Sequence, residues 1–231
     1  MTTPFATIYS YPDNFRVKRA KATSLLSNLT LLESPSYTHN TTNRTPEFLS
    51  KFPLGKVPAL ETSTGFTLTE GFSICRFLAD SGSRAAQLLG GDVETRARID
   101  EWCVFAEMEV VGNVMPVLGM LVLKVTPWNE WRYGFCVGNL ERALGVLEGV
   151  LSKGGEGGNK RFLVGEEITL ADVMVGGALV RAGNFLMDKE MRRGVPAVEG
   201  YLRGLMEVPE MKEAFGELVL VEERVRVPES E

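Results

Sequence analysis

The sequence is short of the residues that most often carry metal, disulfide or triad chemistry. It has one histidine, His39, and three cysteines among 231 residues. A single imidazole excludes zinc sites built on paired histidines, and a histidine set among Ser, Thr and Asn is a poor candidate for a Ser-His-Asp triad. An odd number of widely spaced cysteines argues against a disulfide framework and suits a reducing compartment. We therefore expect Cys75, Cys103 and Cys136 to be small buried side chains, and we predict no metal site.

Long apolar runs and nucleotide motifs are missing as well. No window approaches the ~18 unbroken apolar residues that a membrane span needs. The N-terminal segment lacks the positive cluster and apolar stretch of a secretory signal, so we expect a cytoplasmic protein that does not bind a membrane. There is no G-x-x-x-x-G-K-S/T phosphate loop, and the glycines of 154–158 follow a helical pattern, which predicts a flexible connector.

The charge balance argues against a nucleic-acid partner. The net charge is −5, from 25 Lys and Arg against 30 Asp and Glu. Residues 1–82 carry 8 basic and 6 acidic side chains, whereas 83–231 carry 17 and 24. Binding to phosphates needs a basic surface, which an acidic chain does not offer. The mild basicity of the chain is confined to its first part.

Enough apolar residues are present for a sizeable core. They make up 44% of the chain, which excludes intrinsic disorder and allows one large domain or two modest ones. In residues 1–82 strand and helix signals alternate. They predict strands at 6–9, 29–33, 59–61 and 66–69, and helices at 15–27, 46–51 and 70–80. The turn signal at 62–65 reverses the chain between the last two strands, so the sheet is predicted to be mixed.

Beyond residue 82 the strand signals stop. Apolar spacing predicts helices at 93–111, 128–151, 169–187 and 196–206. Thr169 and Asp172 have the spacing of a capping box, with Ile168 and Val173 as its hydrophobic staple. The sequence thus predicts an α/β domain over 1–82, a linker over 83–92, an all-helical domain over 93–221 and a frayed, charged tail over 222–231.

Several short segments, in a fixed order, resemble one protein family. They are Tyr9 to Pro12, Asn43 to Leu49, Lys51 to Pro53, Gly55 to Ala59, Thr69 to Ile74 and, in the helical part, Phe162 to Asp172. With them the chain resembles the cytosolic glutathione S-transferase superfamily. The resemblance is strongest to the transferase-like domain of the elongation factor 1 gamma subunit and to small fungal transferases of natural-product pathways. It implies a thioredoxin-like N-terminal domain followed by an all-helical C-terminal domain.

The resemblance also implies glutathione as a co-substrate or cofactor, bound by the first domain. Val57-Pro58 is then the expected cis-prolyl bond, and the residue before it presents its backbone N–H and C=O to the bound peptide as an added strand would. Lys56 and Asn43 are placed for the glycyl carboxylate.

The other end of glutathione is expected at Glu70-Gly71. These residues open a helix whose free N–H groups bind the γ-glutamyl carboxylate, while the Glu70 carboxylate accepts from the ammonium group. The family usually has Ser or Thr where Gly71 stands. One hydroxyl contact is therefore missing here, and the backbone N–H must suffice.

A catalyst of this type must raise the thiolate fraction of a thiol whose pKa is about 8.5. Family members use Tyr, Ser, Cys or Asn near the start of the first helix for this purpose. Ser10 and Asn14 are equal candidates here, and Tyr11 is a third. Asn14 has the alternative role of a helix N-cap.

A second, electrophilic substrate is expected between the domains. Met and aromatic side chains make adaptable apolar walls. The candidates are Met108, Val111, Met115 and Trp128, with Trp131 as a further possibility, and core packing is the alternative role for all of them.

Two classes of function fit these features. In the first, the bound thiolate attacks a small electrophilic metabolite, giving a conjugate or, by reversible addition to an activated alkene, cis-trans isomerisation, in fungal secondary metabolism. In the second, the chain is a non-catalytic interaction module of the elongation factor 1 gamma type. For both we expect a homodimer in which the helix predicted at 70–80 packs against the partner's helix predicted at 93–111.

Overall fold

The computed structural model describes residues 3–154 and 158–227. Residues 155–157, within the predicted connector, and 228–231, at the end of the predicted tail, lie outside the described residues. The first part contains the strands β1 (Ala6–Tyr9), β2 (Leu31–Glu33), β3 (Ala59–Thr62) and β4 (Thr67–Thr69) and the helices α1 (Phe15–Leu26), α2 (Pro46–Lys51) and α3 (Gly71–Ser81). This is the predicted order of elements, and every predicted end lies within two residues of the observed one.

The four strands form one mixed sheet in the order β2-β1-β3-β4. β1 runs parallel to β2, and α1 provides the crossover that parallel neighbours require. β3 is antiparallel to both of its neighbours, with Ala59 opposite Tyr9 on one side and Thr69 on the other. The mixed sheet predicted from the turn signal at 62–65 is confirmed.

The second part is helical from its first residues. A short helix, α4 (Ala85–Leu89), lies in the predicted linker, and it is followed by α5 (Val93–Phe105), a π-helical turn (Ala106–Val111) and α6 (Gly112–Leu121), which run on without a break. The predicted end at Val111 is therefore wrong. Gly112 and Pro116 weaken a helix locally, but Val114 and Leu118 beside them are fully buried, and tertiary packing of this kind supplies most of a helix's stability.

This continuous helix has 29 residues and is long and apolar enough to cross a membrane by composition. Half of its most apolar window is buried against the rest of the molecule. Such burial is typical of the central helix of a helical domain.

The remaining helices are α7 (Glu130–Leu151), α8 (Leu170–Gly183), α9 (Lys189–Arg193), α10 (Pro196–Met206) and α11 (Pro209–Phe215). Helices α7, α8 and α10 were predicted, although α8 ends four residues earlier than expected. Helices α4, α9 and α11 were not predicted. Each has seven residues or fewer, which is too short for a repeating apolar pattern to identify.

The predicted capping box of α8 is confirmed and is the centre of a buried network. The Asp172 carboxylate accepts from the N–H of Thr169 (2.8 Å), the N–H of Leu163 (2.9 Å) and the hydroxyl of Tyr201 (2.9 Å). Asp172 thereby joins the loop before α8, the start of α8 and helix α10.

The tail was predicted to be frayed from Glu222 onward, and this is wrong as far as Val225. The N–H of Val225 donates to the carbonyl of Phe185 at 2.8 Å, and the Arg224 Nε lies 2.6 Å from Asp188 Oδ2. The Asp188 carboxylate is buried, so the arginine that pairs with it holds the tail against the helical part.

Candidate functional site

A cavity of about 420 Å³ opens at the end of the sheet where β1 and β4 end and β3 begins. It is lined by Tyr11, Arg16, His39, Asn40, Asn43, Arg44, Leu54, Gly55, Lys56, Val57, Pro58, Thr69, Glu70 and Gly71. All six residues predicted to hold glutathione are in this set. The short turn Thr42–Arg44 before α2, the loop before β3 and the start of α3 bring them together.

A small aromatic cluster fixes the segment before β3. Phe48 of α2 and Phe52, the residue directly after α2, are buried with Ala59, and their rings lie 4.8 Å apart. Tyr9 packs edge-on against Phe48 at 5.7 Å, and Val57 joins the same cluster. The apolar side chain of Val57 therefore points into protein, which leaves its backbone to face the cavity.

The peptide bond between Val57 and Pro58 is cis, as the family resemblance implies. The Val57 N–H and C=O do not enter the backbone hydrogen bonds that join the described strands and loops. An extended peptide in the cavity would therefore find one free donor and one free acceptor at this residue, as it would at a sheet edge.

Asn43 and Lys56 lie at the same end of the cavity. Asn43 is 2% exposed, and its Nδ2 donates to the Gly55 carbonyl at 2.7 Å. Its Oδ1 is buried and has no hydrogen-bond partner among the described residues. Lys56 is exposed and forms no ion pair within residues 3–154 and 158–227, so its ammonium group is available to an anionic ligand.

Glu70 and Gly71 line the cavity where α3 begins. Glu70 has φ 66° and ψ 120°, a conformation that non-glycine residues rarely adopt and that is found where a site requires it. Its side chain makes no capping bond to α3, so the carboxylate is free to accept from a ligand. Gly71 lies close to Arg16, since a Cβ built on Gly71 would be 3.4 Å from the Arg16 Cδ.

The cavity is more basic than its sequence-predicted residues indicate. Arg16 and Arg44 line it together with Lys56, against one carboxylate, Glu70. Neither arginine was predicted as a site residue. Arg44 directly follows Asn43 in the sequence, and this adjacency was the signal that could have identified it.

Of the three candidates for thiol activation, only Tyr11 lines the cavity. Tyr11 lines the cavity and is 37% exposed, with its ring 5.1 Å from the ring of His39. Asn14 is 3% exposed and caps α1, because its Oδ1 accepts from the Arg16 N–H at 3.1 Å. The Asn14 Nδ2 donates to Ser10 Oγ at 2.9 Å. Ser10 and Asn14 are thus brought together, but neither is among the cavity-lining residues.

The structure does not bring the predicted second-substrate residues to this cavity. Val111 is 3% exposed and belongs to the core, and Met115 is partly buried against it. Met108 is 65% exposed on the π-helical turn. Trp128 lies farther along the chain, where its ring contacts Tyr133 at 5.3 Å.

Comparisons with known proteins agree with this architecture. Residues 25–81 match the family model for the N-terminal domain of glutathione S-transferase, and residues 96–204 match that for its C-terminal domain. The chain is 37% identical over 222 residues to a glutathione S-transferase-like protein, FUS3, of Gibberella moniliformis, covering 96% of this chain and 97% of that one. It is 30% identical to human elongation factor 1-gamma, covering 94% of this chain but 47% of the factor.

Solved structures share the fold. The GST-like domain of elongation factor 1-gamma from Saccharomyces cerevisiae superimposes with a TM-score of 0.80 at 20% identity, over 98% of this chain and 100% of that domain. A glutathione transferase from Phanerochaete chrysosporium in complex with oxidized glutathione gives 0.79 at 20% identity, over 92% of this chain and 95% of that one. With both of its domain models matched and a relative similar over almost its whole length, the chain belongs to the glutathione S-transferase family.

Proposed function

We propose that this protein binds reduced glutathione in the cavity and presents its thiolate to a small electrophilic metabolite. The observation that carries the proposal is the juxtaposition of three features in one cavity. They are the free backbone of Val57, the buried Oδ1 of Asn43 beside the unpaired Lys56, and the free carboxylate of Glu70 next to the first N–H groups of α3. Each matches a different group of glutathione.

The glycyl carboxylate of glutathione is expected at Lys56, with Arg44 as a second cation and Asn43 orienting the segment. The cysteinyl backbone pairs with Val57. The γ-glutamyl carboxylate accepts from the N–H groups at the start of α3, where the helix dipole favours an anion, and the ammonium group donates to Glu70.

Thiol activation is assigned to the β1–α1 loop. Of the three candidates, Tyr11 alone lines the cavity, so we favour its hydroxyl as the hydrogen-bond donor to the sulfur. Ser10 and Asn14 remain candidates through their mutual hydrogen bond at the start of α1. Because the thiolate is the better acceptor, any such donor lowers the pKa of the bound thiol.

The thiolate then supports either of two reactions. In conjugation, the sulfur forms a bond to an electrophilic carbon, and the leaving group departs with its electron pair or the adduct is protonated. In isomerisation, the sulfur adds to a conjugated alkene, the former double bond rotates as a single bond, and expulsion of the thiolate restores the alkene in the other geometry. The resemblance to small fungal transferases favours a secondary metabolite as the electrophile and the cytoplasm as the location.

The second candidate function is a non-catalytic interaction module. It is favoured by the 30% identity to elongation factor 1-gamma. Such a module would keep the fold without needing a ligand in the cavity.

Binding and product analysis separate these functions. If glutathione binds with a Kd near ~0.1 mM, 10 mM ligand adds about 2.7 kcal/mol to the free energy of unfolding and raises the Tm. Mass spectrometry of candidate electrophiles incubated with protein and glutathione then gives a conjugate mass, or an unchanged mass with a new retention time for isomerisation. No heat in calorimetry and no Tm shift would favour the interaction module.

A further inference from the structure

An unusual group of arginines surrounds the ring of Phe15 at the start of α1. The guanidinium carbons of Arg16, Arg19 and Arg181 lie 4.6, 5.1 and 5.6 Å from its centroid. Arg16 and Arg19 belong to α1, whereas Arg181 is in the last turn of α8, so the group spans both parts of the chain. Three cations in this space repel one another unless anions are present.

Only part of this charge is neutralised by the protein. Arg19 is 1% exposed and pairs with Glu107, which the π-helical turn projects toward it. Neither Arg16 nor Arg181 forms an ion pair with a residue in the described ranges. The Nε of Arg181 is buried and lacks a hydrogen-bond partner in the same part of the chain.

Arg181 is held in place by aromatic contacts. Its guanidinium lies 4.6 Å from the Phe185 centroid, which fixes the plane of the group without using its N–H donors. Arg181 lies beside Arg16, which lines the cavity, because their guanidinium carbons are 5.6 and 4.6 Å from the same Phe15 centroid. Burial lowers the pKa of Arg181, and the charge of Arg16 lowers it further. An arginine side chain stays charged in proteins, so the uncompensated charge of Arg181 favours the binding of an anion.

We propose that Arg181, with Arg16 as its neighbour, binds a carboxylate on the second substrate and so makes the enzyme selective for electrophiles that carry an acid group. This inference rests on the proposed function. The two carboxylates of glutathione have partners at Lys56 and at the start of α3, whereas Arg181 comes from the helical part. A planar guanidinium of fixed orientation suits a bidentate pair with a carboxylate.

The experiment uses two product-like ligands that differ by one charge. They are S-(4-carboxybenzyl)glutathione and its aryl methyl ester, titrated into the full chain by calorimetry. We expect the wild-type protein to bind the acid about 10-fold more tightly than the ester. Arg181→Gln should reduce this ratio to below about 2. Arg181→Lys keeps the charge but loses the planar guanidinium that binds a carboxylate through two N–H groups, so it should give an intermediate value.

Arg203→Gln is the matched control, because Arg203 is an exposed arginine of α10 that pairs with Glu199, and the wild-type ratio should persist in this variant. Equal binding of acid and ester by the wild type, or an unchanged ratio in both Arg181 variants, would overturn the inference while leaving glutathione binding intact. If neither ligand binds and reduced glutathione gives no heat, the proposed function fails and the inference falls with it. Should Arg181→Gln not fold, the ratio measured in Arg181→Lys decides.

Discussion

At the scale of single residues, the cavity is defined by groups whose ordinary partners are missing. The Asn43 Oδ1 is buried without a partner, Lys56 has no ion pair in the described chain, and Glu70 holds a backbone conformation that costs free energy. Buried polar groups in proteins are nearly always satisfied. The Asn43 Oδ1 departs from this rule, and together with Lys56 and the Glu70 backbone it supports the proposal that this cavity binds a ligand.

Lys56→Ala should weaken glutathione binding about 5-fold, as expected for an exposed carboxylate contact worth roughly 1 kcal/mol. The Tm without ligand should not change, since Lys56 is exposed and forms no ion pair with the residues that the structure describes. Calorimetry and thermal melting measure the two effects. Lys153→Ala removes another exposed lysine and should leave both values unchanged. Unaltered affinity in Lys56→Ala would remove this residue from the site.

Thiol activation can be assigned by following the thiolate absorbance near ~240 nm with pH. If Tyr11 donates to the sulfur, Tyr11→Phe should move the titration of bound glutathione toward the free value of about 8.5 while affinity changes little. Ser10→Ala tests the second candidate in the same way.

Asn14→Ala has a different signature because the amide caps α1. It should lower the free energy of unfolding by about 1 kcal/mol. If Asn14 is only a cap, the thiol titration stays in place. Should none of the three variants move the titration, the side-chain assignment fails and the backbone N–H groups at the start of α1 are the remaining donors.

At the scale of elements, side-chain contacts at the ends of helices help to specify the fold. The start of α8 is tied to the preceding loop and to α10 through Asp172, whereas the start of α5 is capped locally by Asp92, which accepts from the Thr95 N–H at 2.9 Å. Both are acidic residues whose carboxylates accept a backbone N–H bond at the start of a helix. They differ in burial, because Asp172 is fully buried and Asp92 is exposed.

Asp172→Ala should therefore cost about 3 kcal/mol of unfolding free energy, because it leaves two backbone N–H groups and the Tyr201 hydroxyl without partners in the core. Asp92→Ala is the matched control and should cost about 1 kcal/mol, the ordinary value of a lost cap. Urea denaturation measures both. Equal losses would show that the Asp172 network contributes no more than a helix cap.

At the scale of the whole molecule, the expected homodimer would pair α3 of one chain with α5 of the other. Helix α5 carries Val104, which is 50% exposed, and the adjoining π-helical turn carries Met108, which is 65% exposed. Apolar side chains that are exposed on one face in the isolated chain are candidates for burial by a second copy.

Light scattering at micromolar concentration should give twice the chain mass of 25.4 kDa. Val104→Glu should shift the equilibrium toward the monomer, since it places a charge in the proposed interface. Val146→Glu changes a residue of nearly equal exposure, 49%, on α7 and should leave the dimer intact. A monomeric wild-type mass would contradict the proposed assembly.

Some features that build the site could be predicted from the local sequence. The alternation of strand and helix signals over 1–82 depends on apolar periodicity and turn residues, and these act over a few positions. The cis bond at Val57-Pro58 and the expected roles of Asn43 and Glu70 were predicted from the family resemblance. A single Val-Pro or Glu-Gly pair carries no such information.

The tertiary structure decided which side chains share a space. Arg181 is far from Tyr11 in the sequence, and only the packing of α8 against α1 places it beside Phe15. Packing against α7 carries the helix through Pro116, and the pair between Arg224 and Asp188 holds the tail. The sequence by itself determined the order of the elements over residues 1–82, because helix, strand and turn preferences are local, and its short motifs determined the family through resemblance. The charged residues that line the cavity, Arg16, Arg44, Lys56 and Glu70, come from separate segments of the chain, and their proximity is a property of the folded chain alone.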